Sequence, residues 1–160
     1  MKFDKTQQGY AELIELLFFA YRDFTAEPDS ELLAYGFGRA HHRTLHFVSR
    51  NPGLMVAELL DILRVTKQSL NRVLKQLIEE EFIYQKQGDG DKRRRHLYLT
   101  AKGQKLADKL VEIQLERIST SMKALSADAY RNVCEGLFSL IDEGDQKDVL
   151  ARFKTARARK

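Results

Sequence analysis

The chain has 160 residues, of which 43% are hydrophobic and 31% charged, and a net charge of +4. This length suits one globular domain with a real core, and the composition excludes a disordered or membrane-spanning chain. Only two prolines and nine glycines interrupt the chain, which favours long helices over a many-turned β-sandwich. The expected fold is mainly α.

The single cysteine, Cys134, cannot form an internal disulfide, and the N-terminal residues carry no apolar run typical of a signal peptide. The expected location is therefore cytoplasmic. Charges interrupt every apolar stretch before it reaches the ~18 residues that cross a bilayer. No membrane partner is expected.

Positive charge is concentrated in the middle of the chain. Residues 64–105 hold eleven Lys or Arg against five Asp or Glu, a net charge of +6, and residues 152–160 add five bases. A basic segment on an otherwise acidic body indicates a polyanionic partner that docks on one face. A solvated charged surface would explain the charge equally well.

Helical periodicity dominates the first half of the chain. Apolar residues at three-four spacing predict a first helix over residues 7–24, which residues 26–29 around Pro28 end. Further helices are predicted over residues 37–50 and 56–63. Thr66 is a good N-cap for a fourth helix with one clean apolar face.

The period then changes to that of strands. Residues 82–86 and 96–99 are β-prone runs on either side of a Gly-Asp-rich turn, which predicts a β-hairpin. Thr100 can cap a long fifth helix, and a sixth begins near Ala127 with Cys134 on its apolar stripe, where a buried, inert thiol is expected. The basic tail, residues 151–160, is expected to be disordered, with phosphate contacts as the alternative role.

Two short helices, a tight turn and a basic hairpin form a winged helix-turn-helix pattern, whose second helix can lie in the DNA major groove. The inward apolar stripe of the fourth helix leaves a polar face outward. Arginine can pair with guanine, and Asn or Gln with adenine, while the helix N-terminus can bind phosphate. The DNA-binding residues predicted on this helix are Thr66, Lys67, Gln68, Ser69, Asn71, Arg72 and Lys75.

The hairpin carries four consecutive cations, Lys92, Arg93, Arg94 and Arg95. A cationic hairpin tip fits the narrow minor groove, where the negative potential is concentrated. Strand alternation sends neighbouring side chains to opposite sides, so the four cannot all do one job. Protection of a sheet edge is the alternative role.

These motifs resemble the MarR-type winged-helix transcriptional regulators. The resemblance rests on residues 56–63 (VAELLDIL), 66–72 (TKQSLNR) and 91–103 (DKRRRHLYLTAKG). The last stretch is similar to the family's D-x-R wing signature and its L-T-x-x-G entry to the fifth helix. The chain then reads as a single MarR-like domain, with a winged lobe over residues 37–103 flanked by dimerisation helices over residues 7–36 and 104–150.

The resemblance implies a homodimer that binds a pseudo-palindromic double-stranded DNA operator and regulates transcription, most often by repression. It implies that Arg93 reaches the minor groove while Asp91 braces the wing. It further implies a small-molecule effector at the junction of the dimerisation helices and the DNA-binding lobe, and no cofactor. The residues suggested for that pocket are Tyr35, Phe37, His41 and His42.

Apolar stripes on the first, fifth and sixth helices also exceed what a small winged domain covers alone, which independently predicts a dimer. One position departs from the family pattern. Glu81 stands where a glycine usually follows the fourth helix, and glutamate resists the left-handed conformation that glycine tolerates. The fourth helix is therefore free to end differently here.

Alternative functions have weaker signals. His42 and His46 lie one helical turn apart near His41, but without a Cys or carboxylate cluster nearby they predict no metal site. Cys134 would support a redox-sensing regulator, and the long helices a helical protein–protein interaction module. The sequence has no nucleophile elbow and no glycine-rich phosphate loop, so no enzyme is expected.

Overall fold

This computed structural model describes residues 4–88 and 94–158. The elements within those ranges are α1 (Gln7–Leu33), α2 (Arg39–Arg50), β1 (Leu54–Met55), α3 (Val56–Leu63), α4 (Lys67–Glu79), β2 (Ile83–Gln87), β3 (Arg95–Leu99), α5 (Ala101–Met122), α6 (Ala127–Ser139) and α7 (Glu143–Ala158). The expected fold, mainly α with a small β-hairpin wing, is confirmed. None of the described helices is both long and apolar enough to cross a membrane.

The chain divides into two compact units, Met1–Leu115 and Glu116–Lys160. The first unit contains the buried core, which is built from side chains of α1 to α5 and the sheet. Its sheet is antiparallel with the strand order β1-β3-β2, in which Leu54 pairs with Leu97 and Tyr84 with Tyr98. The two-residue strand β1 was not predicted.

Helix α1 continues through Pro28 to Leu33, so the prediction that residues 26–29 end it is wrong. An internal proline costs a helix about 3 kcal/mol. Continuing the helix buries Pro28 and places Leu32 in the core at 0% exposure, and full burial of a leucine contributes roughly 1.5 to 3 kcal/mol. Burial therefore offsets most of the local penalty.

Helices α3 and α4 are joined by a tight turn whose first residue, Arg64, has a left-handed φ of 51°. The carboxylate of Glu58 accepts the N–H of Met55 at 2.8 Å and so fixes the start of α3. Thr66 caps α4 as predicted, because its Oγ1 accepts the Ser69 N–H at 3.2 Å. Hydrogen bonds between residues close in sequence therefore fix where both helices of the helix-turn-helix begin.

Helix α4 ends in a Schellman motif centred on Glu81. The N–H of Phe82 donates to the Leu77 carbonyl at 2.8 Å, and the N–H of Glu81 donates to the Ile78 carbonyl at 3.0 Å. Glu81 adopts a φ of 60°, in the left-handed region. The helix therefore ends in the left-handed geometry usual for glycine although residue 81 is glutamate, and the expectation of a different helix end is wrong.

The second unit contains the end of α5 together with α6 and α7. No residue of α6 is buried, and Cys134 is exposed, so the expectation of a buried thiol is wrong. Apolar side chains of α6 are exposed, and Leu137, for example, is 53% exposed. A hydrogen bond to Cys134 raises the pKa of Tyr130.

The basic tail is helical as far as Ala158, so the expectation of disorder is wrong for residues 152–158. Helix α7 has Glu143 and Asp145 in its first turn, and its bases are concentrated towards the other end. Acids near the N-terminus and bases near the C-terminus both favour the helix dipole. That distribution explains why the tail extends the helix.

Candidate nucleic-acid interface

Helix α4 presents one polar face to solvent. Its apolar stripe is inward, with Leu70, Leu74 and Leu77 buried at 3% exposure or less. The predicted DNA-binding residues of α4 and its cap are all exposed, which matches the expected division of faces: Thr66, Lys67, Gln68, Ser69, Asn71, Arg72 and Lys75. The side chains needed for base recognition are therefore accessible along one helix.

Three of these residues, Thr66, Ser69 and Lys75, have partners within the chain. Thr66 Oγ1 accepts the Ser69 N–H and also donates to Ser69 Oγ at 2.9 Å. Lys75 pairs with Glu79 at 3.7 Å, one turn further along the helix. Such an exposed pair contributes little to stability, but it offsets part of the positive charge that Lys75 offers to a polyanion.

The first turn of α4 points backbone donors outward. The first i to i−4 hydrogen bond runs from the Leu70 N–H to the Thr66 carbonyl at 3.0 Å. The N–H groups of Lys67 and Gln68 precede that bond, at the positive end of the helix dipole. A helix N-terminus of this kind is suited to bind a phosphate oxygen.

The wing is closed at its outer end by a hydrogen bond from the Gly88 N–H to the Arg94 carbonyl at 2.9 Å. Arg94 and Arg95 are exposed, and Arg95 Nη1 donates to Gln85 Oε1 at 3.4 Å. Three predicted site residues, Asp91, Lys92 and Arg93, lie outside the described residues. The described part of the wing therefore contains two of the four predicted cations, Arg94 and Arg95, and both are exposed.

The base of the wing is fastened to the start of α5. Thr100 Oγ1 donates to the Glu81 carbonyl at 2.6 Å and accepts the Gly103 N–H at 3.0 Å. Lys102 Nζ donates to the Glu80 carbonyl at 2.7 Å and lies 4.2 Å from the centre of the Phe82 ring. These contacts give the L-T-x-x-G sequence a physical role, because they connect the end of α4, both wing strands and α5.

Two side chains of helix α2 contact the helix-turn-helix. Arg43 Nη2 donates to the carbonyl of Leu63, the last residue of α3, at 3.1 Å. His41 Nε2 lies 2.9 Å from Gln76 Oε1 on α4, and its Nδ1 accepts the Gly38 N–H at 3.1 Å. Sequence reasoning missed both contacts, because they join residues 20 and 35 positions apart.

Three of the four suggested pocket residues meet in one aromatic cluster. Phe37 stacks on His41 at 4.7 Å and on Tyr35 at 5.9 Å, and contacts Phe82 edge-on at 5.0 Å. Phe37 is 4% exposed, whereas Tyr35 is 40% exposed. His42 has different surroundings: it is buried, with Asp29 and Gln114 as neighbours that raise its pKa against the larger lowering by burial.

The histidines of α2 are neutral groups in the fold. Burial lowers the pKa of His41, and burial with the nearby His42 and Arg50 lowers the pKa of His46 to about 4. Within the described ranges, no group of three or more His, Cys, Asp or Glu side chains could hold a metal ion. His41 stacks on Phe37 and forms hydrogen bonds with Gly38 and Gln76, while His42 is buried.

A helix-turn-helix followed by a β-hairpin wing, with an exposed polar face on its second helix, defines a winged helix-turn-helix protein. Residues 35–94 match the sequence profile of the MarR family. The HTH-type transcriptional regulator PetP of Rhodobacter capsulatus is 48% identical over 135 residues, which cover 82% of this chain and 81% of PetP. The chain belongs to the MarR family of transcriptional regulators.

Solved structures agree on the fold. The crystal structure of Streptococcus pneumoniae FabT in complex with DNA aligns with a TM-score of 0.73 and 18% identity over 82% of this chain and 94% of FabT. A SlyA-like regulator from Listeria monocytogenes aligns with a TM-score of 0.70 and 20% identity, over 88% of this chain and 93% of that one. At such identities the similarity concerns the fold alone.

Proposed function

We propose that this regulator binds a pseudo-palindromic DNA duplex as a homodimer, with α4 in the major groove and the wing in the minor groove. The observation that carries the proposal is the exposed face of α4, which begins at a capped N-terminus and presents Gln68, Asn71 and Arg72 together. These side chains have the hydrogen-bonding geometry that distinguishes base edges. The fold shared with FabT, whose crystal structure contains DNA, supports this docking mode.

Different parts of the surface have different roles in this proposal. Arg72, Asn71 and Gln68 read base edges, while the N-terminus of α4 and Lys67 bind the phosphate backbone. Thr66 and Ser69 hold that N-terminus in shape through their mutual hydrogen bonds, and Lys75 contributes charge that Glu79 partly offsets. Gln68, Asn71 and Arg72 are thus proposed to recognise bases, and the other side chains to bind phosphate, to add charge or to hold the helix N-terminus in place.

The wing supplies the second contact. Arg93 enters the minor groove, where a narrow A·T-rich segment attracts arginine, and Asp91 braces the loop. Arg94 and Arg95 add phosphate contacts from the described part of the wing, with Lys92 beside them. The hydrogen bond between Gly88 and Arg94 supports this role, because it fixes both ends of the segment that would enter the groove.

The homodimer is supported by uncovered apolar side chains. Along α1, five apolar residues at helical spacing are between 46% and 70% exposed: Tyr10, Leu13, Ile14, Phe18 and Tyr21. A contiguous stripe of this kind marks an interaction site in a soluble protein. A two-fold dimer would place two α4 helices about one turn of DNA apart, roughly 34 Å, to match two half-sites.

The proposal includes repression relieved by a small molecule. A dimer that covers two half-sites in a promoter excludes other proteins from the same DNA, and repression is the commonest mode in this family. The exposed side of Tyr35 is the place suggested for an effector, because Phe37 beneath it is already buried. A compound that acts there would release operator DNA from the wild type but not from Tyr35→Ala.

Selection of bound duplexes from a random pool tests the function directly. Enrichment of a two-fold symmetric site with half-sites one helical turn apart is the expected result. Binding should also weaken steeply with salt, because each phosphate contact releases about one counterion. Failure to enrich any sequence at moderate salt would overturn the assignment of α4 as a reading helix.

A further inference from the structure

Helix α2 holds the helix-turn-helix at two separate places. Arg43 binds the Leu63 carbonyl where α3 ends, and His41 contacts Gln76 near the far end of α4. The first contact fixes the turn before α4, and the second fixes the rotation of α4 about its own axis. Rotation of α4 relative to α2 would therefore break the contact between His41 and Gln76.

The protonation state of His41 follows from its partners. Because the Gly38 N–H donates to Nδ1, Nδ1 carries a lone pair and the proton of the neutral ring is on Nε2. Nε2 therefore donates to Gln76 Oε1. His41 is also the third residue of α2, so its Nδ1 closes the first turn in the way that a glutamate does in a capping box.

The ring of His41 has little freedom to move. It stacks on Phe37 with an angle of 8° between the planes, and Phe37 packs against Phe82, the residue that follows the left-handed Glu81. The same cluster therefore contacts the segment between α1 and α2, the end of α4 and the start of the wing. A rigid ring is a good reference point for the orientation of α4.

Gln76 lies four residues after Arg72, so the two side chains are on neighbouring positions of the same side of α4. A change in rotation at Gln76 moves the guanidinium of Arg72 as well. Bidentate hydrogen bonds to a base tolerate only small departures in distance and angle. Phosphate contacts depend mainly on charge and tolerate much more.

We propose that His41 is a positioning residue that sets the base discrimination of Arg72 by holding Gln76, without contacting DNA itself. The inference rests on the proposed function of α4 and adds a determinant of specificity behind the DNA-facing surface. Loss of the contact should lower affinity for the operator while leaving affinity for random DNA nearly unchanged. A loss of stability alone would not produce that difference.

A matched pair of substitutions tests the contact. Gln76→Met keeps the length of the side chain and removes the acceptor, whereas Gln76→Glu keeps an acceptor for Nε2–H. We expect Gln76→Met to lower the ratio of operator to random-DNA affinity by about 3- to 10-fold per half-site, the equivalent of one hydrogen bond. Gln76→Glu should retain the wild-type ratio, because its added charge weakens binding to both DNAs together.

An NMR measurement on the wild type tests the hydrogen bond of His41 directly, so the inference does not depend on a variant that folds poorly. The ¹⁵N shifts of the His41 ring in the wild type should show a protonated Nε2 and an unprotonated Nδ1, with the Nε2–H protected from exchange. That protection should persist in Gln76→Glu and be lost in Gln76→Met. His41→Gln, which keeps an acceptor for the Gly38 N–H, should lower the affinity ratio as Gln76→Met does.

Two results would overturn the inference: a wild-type ring protonated on Nδ1, or an affinity ratio in Gln76→Met within twofold of the wild type. The wild type and Arg72→Ala are measured in parallel. If Arg72→Ala lowers the ratio and Gln76→Met does not, the proposed function stands and only the role of His41 is wrong. If the wild type itself shows no preference for any operator, the proposed function fails first.

Discussion

Gly103 on α5 lies directly against the backbone carbonyl of Phe82, so that a β-carbon at position 103 would overlap with the Phe82 oxygen. The approach brings the first turn of α5 onto the residue that connects α4 to the wing. Gly103 is buried, and its own N–H is bound by Thr100. This close approach of α5 to the base of the wing requires glycine at position 103.

Gly103→Ala should destabilise the fold by about 2 kcal/mol or more, because the new methyl group meets backbone that cannot rotate away. The free energy of unfolding in urea measures the loss. Gly136→Ala on α6 is the matched control, since nothing lies within 4 Å of a β-carbon there. An alanine in that helix should add about 0.5 to 1 kcal/mol, and equal effects of the two substitutions would contradict the close contact.

Glu81→Gly should stabilise the chain by roughly 0.5 to 1 kcal/mol, because glycine adopts a φ of 60° without the strain that a β-carbon causes. Thermal and urea unfolding both report the gain. Glu80→Gly, one residue earlier with an ordinary φ of −83°, should give no such gain. A clear loss of stability in Glu81→Gly would show that the side chain has a role beyond the backbone turn.

Arg72→Ala should make the free energy of binding to the selected operator less favourable by about 1 to 3 kcal/mol per half-site and relax the preference at one base pair, while binding to random DNA changes less.

Arg93→Ala, a prediction from sequence alone, should weaken binding most on A·T-rich flanks and reduce the log–log salt slope by roughly one unit per lost contact. Gel-shift titrations at several salt concentrations separate the two. Equal, small losses on both DNAs would show that this surface supplies only general charge.

Stability should fall as the pH decreases from 6.5 towards 4, because burial lowers the pKa of His46 to about 4 from its ordinary 6.5. The folded state binds the proton less readily than the unfolded chain, so this contribution is complete above pH 6.5 and is lost on acidification. The loss should reach about 2 kcal/mol by pH 4.5. His46→Gln removes this group and should reduce the pH dependence, while His41 and His42, whose pKa values are also lowered, keep their own part of it. An unchanged profile would place the titration elsewhere.

If the chain forms the proposed homodimer, Phe18→Glu should convert it to a monomer at micromolar concentration. Phe18 is 70% exposed in the centre of the apolar stripe of α1, and burying a charge there would be costly. Light scattering measures the mass. Glu12→Lys, an exposed polar position on the same helix, should remain dimeric. A wild-type monomer would remove the two-half-site arrangement together with the dimer.

Local signals predicted most of the interface. The bounds of α3 and the cap of α4 at Thr66 follow from side chains within a few residues of one another, and the polar face of α4 follows from the 3.6-residue period. Pro28 misled the prediction because the burial of Leu32, which offsets its cost, depends on distant elements. Strand β1 is too short to show a period of two.

The sequence could not predict the contacts that orient α4 and the base of the wing. His41 and Gln76 belong to different helices, and nothing in either local pattern indicates a hydrogen bond between them. The overlap at Gly103 is similar, since its reason lies in a carbonyl 21 residues earlier in the chain. The resemblance to the family located the glycine, but only the fold explains it.

The hydrogen bond that joins Gly88 to Arg94 completes the ladder of β2 and β3 before the tip of the hairpin begins. Hydrogen bonds between described residues therefore hold the register of β2 and β3 as far as Gly88 and Arg94. Segments of other sequence or length can be exchanged at this position at small cost in stability, since loop closure depends only weakly on length. A different hairpin tip on the same framework would then change the DNA contacts proposed for the wing while β2 and β3 stay as they are.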